Sequence, residues 1–218
     1  MMRTTFLLCL LLIGSLGLSA QTKKYIPEYY VGANGGITLS SMRFQPTIKQ
    51  EMKMGMKAGA TFRYISEKHF GIQLEANFAQ YGWKEAPTYQ YPKLYERTLN
   101  YLEVPFLSHI FFNIKKTRIF FNLGPQVALF LNDKEKSEYE PNDARAYGKA
   151  VENRFNYGIC GGMGFEYKSK IGSFGVEGRY FFSLGDIFNN SKKDPFEASA
   201  PQVISASVYY LIPIGKKQ

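Results

Sequence analysis

The chain has very little of what thiol or imidazole chemistry needs: two cysteines, two histidines and one tryptophan in 218 residues. Cys9 lies among the first twenty residues, so Cys160 stands alone in the rest and has no internal disulfide partner. One cysteine with His69 and His109 cannot assemble a thiol-rich metal site. Long hydrophobic runs are missing as well. Beyond residue 20 nothing approaches the roughly eighteen consecutive apolar residues of a membrane-spanning helix. Concentrated positive charge is also lacking. The formal net charge is +9, but the lysines and arginines are scattered, with no basic helix and no nucleic-acid module, so nucleic acid is not an expected partner. A basic balance of this kind suits anionic headgroups or a plain solvated surface.

The first twenty residues read as a secretory leader. Arg3 supplies a positive start, Phe6 to Leu12 an apolar stretch too short to span a bilayer, and Leu18-Ser19-Ala20 a small-residue cleavage site. Cleavage after Ala20 leaves a mature domain of residues 21–218. Cys9 lies upstream of that site, so it is not placed to become a lipidated first residue.

The mature chain is dominated by two-residue alternation, the period of a strand with one face toward an apolar environment. Met54, Met56, Ala58, Ala60, Phe62 and Tyr64 alternate with Gly55, Lys57, Gly59, Thr61 and Arg63. Four residues later Phe70, Ile72, Leu74, Ala76 and Phe78 alternate with Gly71, Gln73, Glu75, Asn77 and Ala79. The spacing predicts an antiparallel hairpin here. The same alternation predicts six further strands, over residues 29–39, 98–112, 118–131, 154–167, 174–182 and 203–212. Tight turns are expected at 66–69, 113–117 and 168–172, and longer polar connections at 40–53, 84–97, 132–153 and 185–200.

Eight strands of about ten residues each match what a tilted strand needs to cross a bilayer. The alternation of long and short connections is that of an outer-membrane barrel with its short turns and both termini in the periplasm. Aromatic content of 16%, with 16 Tyr and 18 Phe, suits interfacial girdles. The expected fold is therefore all-β: an eight-stranded antiparallel up-and-down transmembrane β-barrel behind a cleavable signal peptide. A soluble lipocalin-like carrier has the same strand number but needs its charges outward.

The charges decide the sidedness. One face carries Lys57, Arg63, Arg118 and Arg179 against Glu75, Glu103, Glu166 and Glu177, with much glycine; the other carries almost none. Four ions of each sign predict a polar, filled lumen in which every ion is paired. Arg118 and Arg179 are the expected partners of Glu103 and Glu177. Pro105 and Pro125 fall within strands, and each removes a ladder donor, so bulges are expected at both.

With the strands laid out, the chain resembles the small PorT-like outer-membrane β-barrel proteins of Bacteroidetes. The residues that carry the resemblance are Asn100-Tyr-Leu-Glu-Val-Pro-Phe106, Asn122-Leu-Gly-Pro-Gln126, the glycine-spaced strand Asn156 to Glu166, and Glu177-Gly-Arg-Tyr180 followed by Leu184-Gly-Asp-Ile187. Together they cover nearly the whole mature chain, although each motif alone is weak. The resemblance implies a barrel in the outer membrane, and some members look like accessory parts of type IX secretion and gliding. The opening segment departs from the leader pattern of the secretion component, so fold and location carry over more firmly than that role.

No catalytic, cofactor or metal constellation is legible. The glycine run Gly158 to Gly164 lies inside an alternating strand and opens no helix, so it is not a phosphate loop. The mixed acidic and basic stretch from Asn132 to Asn153 reads as a solvated loop. The expectation is a monomeric, non-enzymatic outer-membrane protein with a structural or partner-binding role and no general pore. Its partners are outer-membrane lipid and, among proteins, those of the envelope or of secretion.

Overall fold

The computed structural model describes residues 25–89, 93–138, 149–190 and 196–214. The leader and its cleavage after Ala20 lie outside the described residues. Eight strands follow in order: β1 (Glu28–Gln45), β2 (Gln50–Ile65), β3 (Phe70–Glu85), β4 (Tyr95–Ile114), β5 (Thr117–Ser137), β6 (Phe155–Lys168), β7 (Ser173–Ser183) and β8 (Ala198–Ile214). Each pairs antiparallel with its neighbours in sequence, and β1 pairs with β8 from Tyr29↔Ile214 to Gln45↔Ala198 to close the ring. Closure leaves no edge strand in the ring, so across the span the strands share their backbones are satisfied without water.

The alternation in the sequence is the alternation across this wall. Val31, Phe62, Leu74, Leu102, Leu123, Ile159, Val176 and Val208 point outward and are exposed. Lys57, Arg63, Glu75, Glu103, Arg118, Glu166, Glu177 and Arg179 point inward and are buried. The lipocalin-like alternative is thereby corrected: it needs the opposite faces. On β5 the outward run from Ile119 to Leu131 measures about 41 Å along the strand at ~3.4 Å per residue, or about 30 Å along the axis at a tilt of ~40°. That is about the thickness of a bilayer's hydrocarbon core, roughly 30 Å.

Two expectations about the strands need correction. Bulges do not fall at Pro105 or Pro125. Pro105 pairs with Gln126 and Pro125 with Ile159, and the ladders run past both prolines in unchanged register. A strand residue donates its N–H to one neighbour only, so each proline costs one rung without forcing an extra residue into the strand. The irregularities fall instead between Met52 and Lys57 and between Asn100 and Tyr101. Second, the connection expected at 40–53 is mostly strand. β1 continues to Gln45 and β2 begins at Gln50, so only residues 46–49 join them. Similarly, β5 runs on to Ser137.

The tight turns at 66–69, 115–116 and 169–172 share one end of the barrel with the start of β1 and the end of β8; this is called the turn end, and the opposite one the loop end. At the loop end the outward face becomes polar in two steps. Gln80, Asn100 and Asn132 hydrogen-bond in a row across β3, β4 and β5, at 3.1 and 2.6 Å. Beyond them Glu51↔Lys84, Lys84↔Glu96 and Glu96↔Lys136 pair across four strands with alternating sign, and Lys53 also reaches Glu96. Cross-strand pairs of opposite charge stabilise a sheet, and this row stands where the apolar band has ended.

Candidate functional site

The feature with the most chemistry is the barrel interior, which is layered. At mid-height Lys57, Glu75, Glu103, Glu177 and Arg179 meet in one cluster. Arg179 donates to Glu75 at 2.7 and 2.9 Å and to Glu177 at 2.9 to 3.1 Å. Lys57 lies 2.6 Å from Glu103 and 3.8 Å from Glu75. Three carboxylates against two cations leave one excess negative charge, which neutral donors spread. Asn77 donates to Glu75 and Glu103 at 2.9 and 3.1 Å, Gln126 to Glu103 at 3.2 Å, and Asn122 to Glu177 at 2.9 Å; the Tyr81 hydroxyl also donates to Glu103.

Closer to the turn end the excess has the other sign. Glu166 pairs with Arg63 and with Arg118, the latter at 3.3 Å, and accepts from the Tyr209 hydroxyl at 3.0 Å. The second cation here is accommodated on aromatic faces. The Arg118 guanidinium lies 3.8 Å over the Phe111 ring, and Arg63 lies 5.2 Å over Tyr209. Gln73 joins the two clusters, accepting from Arg63 at 2.7 Å and donating to Glu75 at 2.6 Å.

The structure places the eight lumen ions in these two clusters, each within reach of an opposite charge. One partner assignment is corrected: Glu103 pairs with Lys57 and not with Arg118, because Arg118 sits lower, beside Glu166. The ion layer does not extend the full length of the lumen. Its loop-end half is aromatic, with Met42, Phe44, Tyr81, Trp83, Tyr95, Tyr101, Phe130 and Phe181 buried together.

The loop-end mouth is closed by chain from outside the wall. Ile187 and Phe188, in the β7–β8 connection, are 0% and 2% exposed and join this aromatic layer. The Ile187 carbonyl accepts from the Glu152 and Asn153 amides, both at 3.1 Å. The Ile187 amide donates to the Ser199 carbonyl at 3.1 Å, and Ser199 donates its own amide to Asp186 at 2.6 Å. Arg97 completes the cap. It pairs with Asp133 and with Glu135 at 2.9 Å, donates to the Lys149 carbonyl at 2.7 Å, and lies 5.8 Å over the Phe188 ring. None of these loop contacts follows from a strand period, and the sequence offers no signal for them beyond an apolar Ile-Phe pair in a polar loop.

His109 is buried against Asn122 at 2.7 Å between Phe111 and Phe120, and His69 bonds the Phe111 carbonyl at 3.0 Å. Both serve packing. Among the described residues no group of three or more His, Cys, Asp or Glu is placed to hold a metal ion. Cys160 is buried in the aromatic layer as a free thiol.

The family described as outer membrane protein beta-barrel domain matches residues 19–189, and the chain belongs to it. Its closed ring of eight antiparallel strands is the architecture of the small outer-membrane barrels, and the protein is one of them. Among solved structures, the outer membrane protein OprG from Pseudomonas aeruginosa is similar at TM-score 0.50 and 13% identity, covering 85% of this chain and 94% of that one. Neisserial surface protein A is similar at TM-score 0.45 and 10% identity, covering 85% and 99%. The attachment invasion locus protein of Yersinia pestis, in complex with the heparin analogue sucrose octasulfate, is similar at TM-score 0.43 and 12% identity, with the same coverage of 85% and 99%. No curated protein sequence matches the chain.

Proposed function

We propose that the protein is a closed, non-enzymatic outer-membrane barrel that serves as a structural or partner-binding element of the envelope and is not a general pore. The observation that carries this reading is the pair of barriers in series along the lumen. A layer of paired ions fills the middle, and the Ile187–Phe188 plug with its Arg97 cap fills the mouth. An eight-stranded interior is only just wide enough for side chains, and here they occupy it. In planar bilayers the purified protein should give no steps above baseline, and Phe188→Ala should stay closed because the ion layer lies beneath it. A steady conductance from the unaltered chain would refute the closed barrel. Turnover of glycerophospholipid by the purified protein would refute the non-enzymatic reading.

In the proposed orientation the turn end faces the periplasm, and the loop end, with its strand extensions and plug, faces outward. In a Cys160→Ala background, Asn189→Cys should react with a membrane-impermeant maleimide on intact cells, and Lys115→Cys should react only after lysis. The mature chain should begin at Gln21 by mass.

A second reading, an accessory role in type IX secretion, rests on the PorT-like resemblance. The residues that carry that resemblance include Glu103, Asn122, Gln126, Glu177 and Arg179, which build the central ion layer. They favour a shared barrel interior over a shared partner. Unchanged secretion of C-terminal-signal cargo in a deletion strain would remove this role.

A further inference from the structure

The outward wall of β6, β7, β8 and β1 is not smooth. Two hollows, of about 590 and 430 Å³, lie along it and share Gly35, Phe165, Val176 and Val208, so they form one continuous groove. The groove begins at the turn end, beside Thr117, Tyr167 and Tyr210, and reaches mid-wall at Ile37, Gly178 and Ala206. Tyr210 to Ala206 spans about 13 Å along β8, or about 10 Å along the axis at the same ~40° tilt, about two-thirds of the ~15 Å depth of one leaflet.

The glycines here differ from those lining the interior. A Cβ on Gly32 would stand 1.8 Å from the Tyr210 carbonyl oxygen, so the close approach of β1 to β8 demands glycine there. A Cβ on Gly178 would meet nothing within 4 Å, and one on Gly35 only the Lys57 carbonyl oxygen at 3.7 Å. Packing within the barrel does not require these two positions to be small. Their smallness makes the hollow.

Immediately beneath the groove lie the β4–β5 and β6–β7 turns, tied together by the Lys168 amide donating to the Lys116 carbonyl at 2.8 Å. They read Asn113-Ile-Lys-Lys-Thr117 and Lys168-Ser-Lys-Ile-Gly172, with no acidic residue. Lys115, Lys116 and Lys170 are exposed. An apolar slot about two-thirds of a leaflet deep above a cationic rim is complementary to a lipid with an anionic headgroup.

We propose that this wall binds one anionic glycerophospholipid of the leaflet at the turn end, with an acyl chain in the groove and the phosphate on Lys115, Lys116 and Lys170. The leaflet is the periplasmic one, a part of the inference that rests on the orientation proposed above.

The test is native mass spectrometry of the full mature chain in mild detergent, with phosphatidylglycerol, phosphatidylcholine or lipid A added. One phosphatidylglycerol per barrel is expected, in preference to the other two. Gly178→Phe should lower the bound fraction about ten-fold, equivalent to about 1.4 kcal/mol. Ala76→Phe, which adds the same bulk to the outward face of β3, should leave binding unchanged. Replacing the three lysines by glutamine should reduce phosphatidylglycerol to the level of phosphatidylcholine. A heat-modifiable gel shift verifies that each variant is folded. Equal binding by Gly178→Phe and the parent, preference for lipid A, or a lipid-free dimer would each overturn the proposal. The Lys115→Cys labelling separates the two parts. A turn labelled on intact cells, with phosphatidylglycerol still bound, overturns the periplasmic assignment and leaves the groove.

Discussion

Replacing Arg179 by Met tests the central ion layer most directly. Arg179 is 6% exposed, and its guanidinium donates to both Glu75 and Glu177. Its removal leaves Lys57 as the cation among three buried carboxylates. Removing one partner of a buried pair costs about 3–5 kcal/mol, because the other charge stays buried and uncompensated. With a urea dependence of about 1–3 kcal/mol per molar, the unfolding midpoint should fall by roughly 2 M. Trp83, buried in the aromatic layer, gives a fluorescence signal for unfolding in micelles. Adding Glu75→Gln removes one orphaned charge and should restore part of the loss, so the double variant should be more stable than the arginine variant alone. A midpoint shift below about 0.5 M, or strictly additive effects of the two substitutions, would refute the coupled layer.

Depth along the wall sets the cost of a charge facing lipid. Leu123→Arg, near the middle of the apolar band, should cost about 2–4 kcal/mol and Leu131→Arg, at its loop-end rim, about 0–1, as read from urea midpoints in vesicles. Inside, a Cβ on Gly164 would stand 2.1 Å from the Val176 carbonyl oxygen and 2.5 Å from the Phe120 ring. Gly164→Val should therefore destabilise by about 1–3 kcal/mol or prevent folding, while Gly178→Ala should be neutral in the same assay. Arg97→Ala removes the cap over Phe188 and should cost about 1–3 kcal/mol. Its clearest sign should be protease cleavage within the β7–β8 connection, with the strands left intact.

The ring and its ion layer were legible because a strand's two-residue period sorts charge from apolar side chains wherever one face meets lipid. Lys57, Glu75 and Arg179 are among the few charges on strands otherwise built of apolar, glycine and neutral polar residues across the membrane span. Where both faces meet water or protein the period carries no such contrast. Ser40 pairs with Lys53 in regular register, yet the stretch reads as polar loop because it rises beyond the apolar band. Tyr81 and Tyr101 belong to the inward face by parity, but parity does not say that they pack on one another at 5.0 Å in an aromatic layer. The seating of Ile187 and Phe188 depends on contacts with β8 and with residues 152–153, which no local pattern encodes. Pro105 and Pro125 produce no bulge because a missing donor removes one rung and inserts no residue.

The strands differ in length by more than the membrane requires. β5 continues to Ser137, seven residues past Phe130 in the aromatic layer, while β7 stops at Ser183. At ~3.4 Å per residue those seven residues add about 24 Å of strand on one side of the mouth. The rim is consequently oblique, a parapet on the β4–β5 side and a low step on the β6–β7 side. Among the described residues, the strand extension therefore screens the plug from one side only, and a partner of the proposed kind would meet that wall before it met Phe188.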